Sequence, residues 1–328
     1  MSFDSVHTIG GRESIRDVLF DAERRLTNAG VPSPSVDAGQ IVAFALGIPR
    51  NRLILQDGVD SDQRVQIEQL MTQRLSRVPL QHLLGSTGFR RIDVAVGPGV
   101  FIPRPETELV TEAAIRELQG QPIGSRIAVD LCSGSGAIAI SLGMEVDNSR
   151  VHAVEVSDEA IIWTRRNVKA YEDALAANGS RVEIIHEDAA TVADREQPLA
   201  RLIGQVAVVV SNPPYIPDAM IPREIEVRDH EPKIALYGGE DGLDVVRAVL
   251  KTAAILLKPG GLLVVEHADV QGSDAAMRGV PGVAKAMTAD YEVSAISGLA
   301  LGTPVWTEVS DRIDLNGLPR FTIARRSI

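Results

Sequence analysis

The chain has 328 residues, 45% of them hydrophobic and 23% charged, and its 33 basic against 44 acidic side chains give a formal net charge of −11. That length allows a sizeable buried core and predicts two domains, with a composition ordinary for a globular protein. The acidic balance argues against a broad, phosphate-neutralising surface.

At the N-terminus, "MSFDSVHTIGGRESIRDVLF" has no basic segment followed by a long apolar core, so no secretory signal is expected. Residues 1–11 are expected to be loosely held. From about residue 12 to 84 the chain reads as helices only. In "ESIRDVLFDAERRL", Ile15, Val18, Leu19, Ala22 and Leu26 share one face, and Asn28-Ala29-Gly30 stops the helix. "SVDAGQIVAFALG" and "SDQRVQIEQLMTQRLSRV" supply two more amphipathic stretches, with Pro32, Pro34, Pro49 and Pro79 marking the connections. Nothing in these side chains points to chemistry. From Gly85 to Pro105, short alternating stretches around Gly97-Pro98-Gly99 predict a β-hairpin joining two domains.

After Glu106, strands and helices alternate. Ile127–Leu131, Val151–Val156, Val182–His186, Val206–Ser211 and Leu262–His267 are the candidate strands, separated by helical stretches such as Thr107–Leu118 and Asp158–Ala177. That order predicts an α/β domain with a parallel sheet covered on both faces. No apolar run approaches the roughly 20 residues of a membrane span. The one cysteine, Cys132, excludes an intramolecular disulfide and fits a reducing compartment. The six histidines show no paired metal-ligand spacing with it. A cytoplasmic, metal-free protein with no membrane segment is expected.

"AVDLCSGSGAIAISL" puts Gly134 and Gly136 between the first of these strands and the next helix. With Ala139 it imitates the G-x-G-x-x-A dinucleotide fingerprint, and Glu155 follows where an acid would accept a ribose diol. Asp130 separates the readings. Beside a pyrophosphate a carboxylate is repulsive, but beside the ammonium and sulfonium of S-adenosylmethionine it is attractive. Asp130 serving only to cap the turn is the plain alternative. Asp188, after the third strand, is placed to accept an adenine amino group or to act as a helix N-cap. Asp130, Glu155 and Asp188 thus stand at the carboxyl ends of three successive strands, where open α/β sheets bind ligands.

The fourth strand, Val206–Ser211, runs into Asn212-Pro213-Pro214-Tyr215. Its unbroken β-branched run reads as a strand buried on both faces, and the prolines end it. An amide or aromatic-amine nitrogen is a poor nucleophile because its lone pair is delocalised; the peptide rotation barrier of about 18–20 kcal/mol measures that delocalisation. Asn212 can offer its side-chain oxygen to one N–H of such a group, and the Pro213 carbonyl can take the other. Both contacts aim the nitrogen at a methyl donor and favour positive charge developing on it. Tyr215 supplies a flat wall for a planar acceptor.

With "PLQHLLG" (Pro79–Gly85), "FIPRPETELV" (Phe101–Val110), "VDLCSGSGAIA", "VSNPPYIP", "DHEPKIALYGGEDGLDVVR" (Asp229–Arg247) and "DLNGLPRF" (Asp314–Phe321), the chain resembles the PrmC (HemK) family of protein-(glutamine-N5) methyltransferases, which act on peptide chain release factors. The resemblance runs from about Ser14 to the C-terminus. It implies a helical substrate-binding domain over residues 1–84, a β-hairpin linker over 85–105 and a Rossmann-like, seven-stranded class I methyltransferase domain over 106–328. It also implies methyl transfer from S-adenosylmethionine, leaving S-adenosylhomocysteine, to the Gly-Gly-Gln glutamine of class I release factors. Phe101, the turn Cys132-Ser133-Gly134-Ser135-Gly136, Glu155, Asp188, Ala189 and Asn212 would contact the cofactor, and Asn212 to Tyr215 would hold the glutamine. Arg104 and Glu106, within a segment bordering the pocket, would organise it. The chain departs from the family pattern at four places: Cys132 stands for a glycine, Glu155 for an aspartate, His82 for a tyrosine, and His267 interrupts a Glu-Ile-Gly. Asn-Pro-Pro-Tyr also marks enzymes that methylate adenine in DNA or guanine in RNA. That alternative is disfavoured by the acidic balance and by the lack of an evident base-reading module, so no stable nucleic-acid binding is expected.

Overall fold

Amphipathic helical runs dominate the first quarter of the chain, and buried β-branched runs appear only after it. The computed structural model describes residues 8–9, 12–272, 282–288 and 305–328. They fall into two compact units, Met1–Ser86 with Pro222–His230, and Thr87–Ile221 with Glu231–Ile328.

In the first unit three short strands, β1 (Thr8–Ile9), β2 (Arg12–Ser14) and β3 (Gly58–Val59), pair antiparallel in that order. Strands were not expected between 12 and 84. They are too short to show a period, and β3 depends on one glycine: a Cβ at Gly58 would lie 2.4 Å from the Glu13 carbonyl oxygen. The expectation of a loose N-terminus falls largely outside the described residues, although Thr8–Ile9 is paired. The helices are α1 (Ile15–Asn28), α2 (Pro34–Ala45), α3 (Ser61–Leu75) and α4 (Leu80–Leu84). Helix α1 buries Val18, Ala22 and Leu26, with Ile15 and Leu19 packed at the core's margin. Helix α3 starts at a reciprocal cap, Gln63 N donating to Asp60 Oδ1 (2.9 Å) and Asp60 N to Gln63 Oε1 (3.0 Å). The core of this unit is built around Leu26, Ile41, Ile67 and Met71.

The second stretch of this unit, Pro222–His230, carries the short helix Ile225–His230, α8 in chain order. Glu226 fastens it. Arg77 binds both Glu226 oxygens (2.8 and 2.7 Å), and Arg74 donates to Glu226 (2.8 Å) and to Asp37 (2.7 Å).

The second unit opens with a hairpin of β4 (Ser86–Phe89) and β5 (Ile92–Ala95). The chain reverses at Arg90-Arg91, with Arg90 at φ 52°; Gly97-Pro98-Gly99 forms the turn that follows the hairpin. Phe89, Ile92, Val94 and Val96 are buried in the same core as the sheet, so the hairpin is packed into this unit. Then come α5 (Pro105–Gln119), β6 (Ile127–Leu131), α6 (Ala137–Glu145), β7 (Arg150–Glu155), α7 (Ala160–Ala177), β8 (Arg181–His186) and β9 (Val206–Ser211). After α8 follow α9 (Asp244–Leu256), β10 (Leu257–Glu266), α10 (Val283–Thr288), β11 (Trp306–Ile313) and β12 (Pro319–Arg326).

Seven strands form one sheet in the order β11-β12-β10-β9-β6-β7-β8. The run from β10 to β8 is parallel, while β12 and β11 add antiparallel. Every residue of β6 and β9 is buried, which is why neither alternates. Asp130 pairs in register with Val210, and Leu131 with Ser211, so the ends of β6 and β9 lie side by side. The expected parallel sheet is therefore a mixed one, its antiparallel edge closed by the turn in "DLNGLPRF". There Asp314 Oδ1 accepts from Asn316 N (2.8 Å) and Leu318 N (3.1 Å). Among the described residues no helix is long and apolar enough to cross a membrane.

Candidate active site

Strand β6 runs directly into the glycine turn. Gly134 and Gly136 take φ of 58° and 83°, the left-handed region that glycine enters freely, and Cys132 takes 62° in the same turn. Four side chains pin this backbone. Asp130 Oδ2 accepts from Ser133 Oγ (2.6 Å) and from Ala139 N (3.2 Å) at the start of α6. Glu155 Oε2 accepts from Gly134 N (2.7 Å), and its Oε1 from Ser157 N (2.8 Å). Thr164 Oγ1 donates to the Gly134 carbonyl (2.7 Å), and Asn167 Nδ2 to the Ser135 carbonyl (2.9 Å).

The acids named from sequence thus have protein partners of their own. Asp130 is wholly buried, and burial pushes its carboxyl up to about 7 against the hydrogen bonds from Ser133 and Ala139. Its Oδ1 has no protein partner. Burial also raises Glu155, while the Ser157 and Gly134 N–H groups pull the other way. Asp188 is exposed and organises a turn, its Oδ1 accepting from Ala190 N (2.8 Å). The neighbouring Ala189 is buried, and its carbonyl accepts from Thr252 Oγ1 (2.7 Å). Burial raises the Cys132 thiol far above its ordinary value, with Glu155 adding to the effect, so it stays protonated.

Thr164 and Asn167 were not foreseen. The signal was there in α7, where Ala160, Thr164 and Asn167 follow one another on a single buried face. Small polar residues on such a face need partners, and a backbone turn supplies them.

At the other end of the site, Asn212 leaves β9 with Nδ2 directed at Thr107 Oγ1 of α5 (3.3 Å). The segment after it is held by its backbone. Ile216 N donates to the Leu236 carbonyl (2.8 Å), Gly238 N to the Ile216 carbonyl (2.9 Å) and Gln271 Nε2 to the Tyr215 carbonyl (3.0 Å). Close approach explains the glycines of "GGEDG". A Cβ on Gly238 would lie 2.7 Å from the Pro214 oxygen, and one on Gly242 2.4 Å from the Tyr215 oxygen. Pro213 is buried and Pro214 half-buried. Arg104 is fixed by Glu231 (2.5 Å) and lies over the Phe101 ring, 4.7 Å from its centroid.

Glu266, at the end of β10, was also missed. It is 1% exposed, its Oε1 is 3.5 Å from the Tyr215 hydroxyl, and its Oε2 has no protein partner. Burial pushes it up to about 7, against the Thr107 hydroxyl and the Arg320 charge. Burial raises the Tyr215 phenol too, with Glu266 contributing. Next to Glu266, His267 is fully buried with Nε2 3.1 Å from Asp311 Oδ1 and Nδ1 2.9 Å from the Ala268 carbonyl. His82 lies on α4 of the first unit.

A mixed seven-stranded sheet with helices on its faces, a glycine turn after β6 and acids at the strand ends define a class I, Rossmann-like methyltransferase fold. Residues 17–85 match the PrmC N-terminal domain, and residues 91–225 the methyltransferase small domain. The release factor glutamine methyltransferase of Streptomyces coelicolor is 42% identical over 314 residues, which span 94% of this chain and 97% of that protein. The Mycobacterium tuberculosis protein of the same name is 37% identical over 318 residues, 95% of this chain and 92% of its own. The chain belongs to the release factor glutamine methyltransferase family. Among solved structures, the release factor-specific protein-(glutamine-N5) methyltransferase of Alicyclobacillus acidocaldarius shares 24% identity, with a TM-score of 0.37 over 71% of this chain and 99% of that one. Membership of a methyltransferase family implies S-adenosylmethionine as the donor.

Proposed function

We propose that this chain methylates the side-chain amide nitrogen of the Gly-Gly-Gln glutamine in class I peptide chain release factors. The observation that carries the reading is the braced Asn212–Tyr215 segment at the end of β9, beside the pinned glycine turn of β6. The turn fits the donor. A Cβ on Gly134 would meet nothing within 4 Å, and the buried Asp130 Oδ1 lacks a protein partner. Cys132 to Gly136, Glu155 and the Asp188-Ala189 turn would hold S-adenosylmethionine, with Phe101 and Asn212 at its edge. Bound there, it supplies an electrophilic methyl group.

The rest of the work falls to this chain. Asn212 Oδ1 and the Pro213 carbonyl accept the two amide hydrogens of the glutamine, turning its nitrogen lone pair toward the methyl carbon. Both oxygens favour the positive charge that grows on nitrogen as the bond forms. No base is needed beforehand, because the methylated nitrogen is strongly acidic and loses its proton readily. Tyr215 walls the planar amide. Two segments far apart in the chain meet here: "GGEDG" packs against the carbonyls after Asn212, and Thr107 meets its amide.

The test is mass-spectrometric mapping after incubation of an intact release factor with labelled donor, beside a variant carrying alanine for the Gly-Gly-Gln glutamine. A single methyl on the glutamine, lost in the variant, is expected. Label that persists in the variant, or that appears only on adenine or guanine of added nucleic acid, overturns the assignment. Asn212→Ala should lower the rate by about 10²–10³ with the fold intact, the scale of one preorganised polar contact.

A further inference from the structure

Beside the acceptor segment the second unit holds a cavity of about 510 Å³ that methyl transfer as described does not use. Pro217, Met220, Val270 and Gln271 line it, together with four charged residues of the "GGEDG" loop and α9. Its wall is shared with the structure that braces the glutamine site. Gln271 Nε2 donates to the Tyr215 carbonyl (3.0 Å). A Cβ on Gly242 would lie 2.4 Å from that same carbonyl oxygen and 3.0 Å from Pro217 Cδ. Pro217 follows Tyr215 by two positions, a span of at most about 7 Å. A polypeptide with one side chain against Tyr215 can therefore place a nearby residue in this cavity.

The charges around it are unevenly paired. Arg247 donates to Asp241 (3.1 Å) and to Asp244 (2.9 Å). Asp241 also accepts from Leu243 N (3.0 Å), and Asp244 lies in the first turn of α9, so the positive end of that helix is already answered. Glu240 is different. It is exposed and has neither a hydrogen bond nor an ion pair among the described residues. An exposed carboxylate elsewhere would be an ordinary solvated charge. Here it stands at a cavity whose other lining includes the apolar Pro217, Met220 and Val270. Lysine and arginine suit such a place, because they lay their methylene stems on apolar surface and keep the cation at the rim.

We propose that this cavity receives a lysine or arginine side chain of the protein substrate, from within about five residues of the glutamine to be methylated, with its stem on Met220 and Val270 and its cation on Glu240. The inference rests on the reading that this chain methylates a glutamine held by Asn212 to Tyr215.

The test scans an intact release factor. Each position up to about five residues from the Gly-Gly-Gln glutamine, the two glycines excepted, is replaced in turn by lysine and by glutamate. Methylation of that glutamine by the full-length enzyme is followed by mass spectrometry. At one position lysine should exceed glutamate by about 5–10-fold in kcat/KM, the scale of exchanging an exposed attraction for a repulsion. The difference should fall on KM, with kcat within about twofold. In Glu240→Gln the preference should shrink to about twofold or less, and in Glu240→Lys it should reverse. The Kd for S-adenosylmethionine, by calorimetry, should stay within about twofold in both variants, since the cavity is proposed to hold substrate alone.

An equal lysine preference at every position would reflect only the acidic balance of the whole chain and overturns the proposal. No preference at any position overturns it as well, and so does one that survives Glu240→Gln unchanged. Wild-type enzyme that leaves the Gly-Gly-Gln glutamine unmethylated would instead overturn the underlying reading, so the two failures are told apart.

Discussion

Cys132 holds a left-handed φ of 62° at a place where the family pattern has glycine. A side chain there costs roughly 1–2 kcal/mol. Glycine would relieve that cost, but it would give the unfolded chain about 0.4–1 kcal/mol of extra freedom and forfeit the packing of a thiol against the core. The terms nearly cancel, so Cys132→Gly should leave stability within about 1 kcal/mol of wild type. Cys132→Val should destabilise by about 1–3 kcal/mol and weaken donor binding, because a β-branched residue cannot hold that backbone. Denaturant unfolding and calorimetry check both; a Val variant as stable as wild type would show that the turn tolerates any small residue. Positions were legible at this scale where contacts were not. Asp130, Glu155 and Asp188 were named by their places after strands, yet Glu155 spends both oxygens on backbone N–H groups, and Asp130 one. A carboxyl at a strand end can face a ligand or turn back to its own loop, and sequence does not say which.

Strands β6 and β9 were readable because burial on both faces leaves a run without alternation. The edge pair β11–β12 was not. Glu308 at φ 52° and the register shift between Thr307 and Ser310 break the alternation that would have announced β11. Helix α8 is a different case, since it joins the first unit through Arg74 and Glu226, 152 positions apart, which leaves no local pattern. Its anchor makes a prediction. Burial opposes the charge of Glu226, but hydrogen bonds from Arg77 and Arg74 prevail and hold its carboxyl down at about 2, against an ordinary 4.5. A carboxyl lowered on folding stabilises the protein above its ordinary pKa, and that share is lost as pH falls toward the lowered value. Acid unfolding followed by circular dichroism should therefore be less steep between pH 4.5 and 2 in Glu226→Gln than in wild type, and the variant less stable at pH 7. Identical acid profiles would mean that α8 is held by other contacts.

For the whole molecule, two carboxyls of the sheet's active edge set the opposite slope at milder pH. Burial holds Asp130 and Glu266 up at about 7, from ordinary values of 3.8 and 4.5. Between those limits the folded chain keeps protons that the unfolded chain has released, so stability falls as pH rises. His152 works against them. Burial lowers it from 6.5, so the unfolded chain binds a proton there that the folded chain does not, and below 6.5 this one group favours higher pH. Glu155, also raised by burial, acts in the same direction, so three carboxyls stand against one histidine up to pH 6.5, and above it His152 no longer opposes them. The melting temperature of the protein without donor should therefore drop between pH 5.5 and 8, and Asp130→Asn or Glu266→Gln should each flatten the drop. Donor binding should change that balance. The ammonium and sulfonium of S-adenosylmethionine favour an ionised Asp130, so stabilisation by this ligand should be larger at pH 8 than at pH 5.5. S-adenosylhomocysteine lacks the sulfonium charge, and its stabilisation should depend less on pH. Thermal melts of wild type and Asp130→Asn across this range, with each ligand and without, measure all of these at once. Equal pH dependence for the two ligands, or none lost in Asp130→Asn, would mean that Asp130 serves only the turn it ties to Ser133 and Ala139.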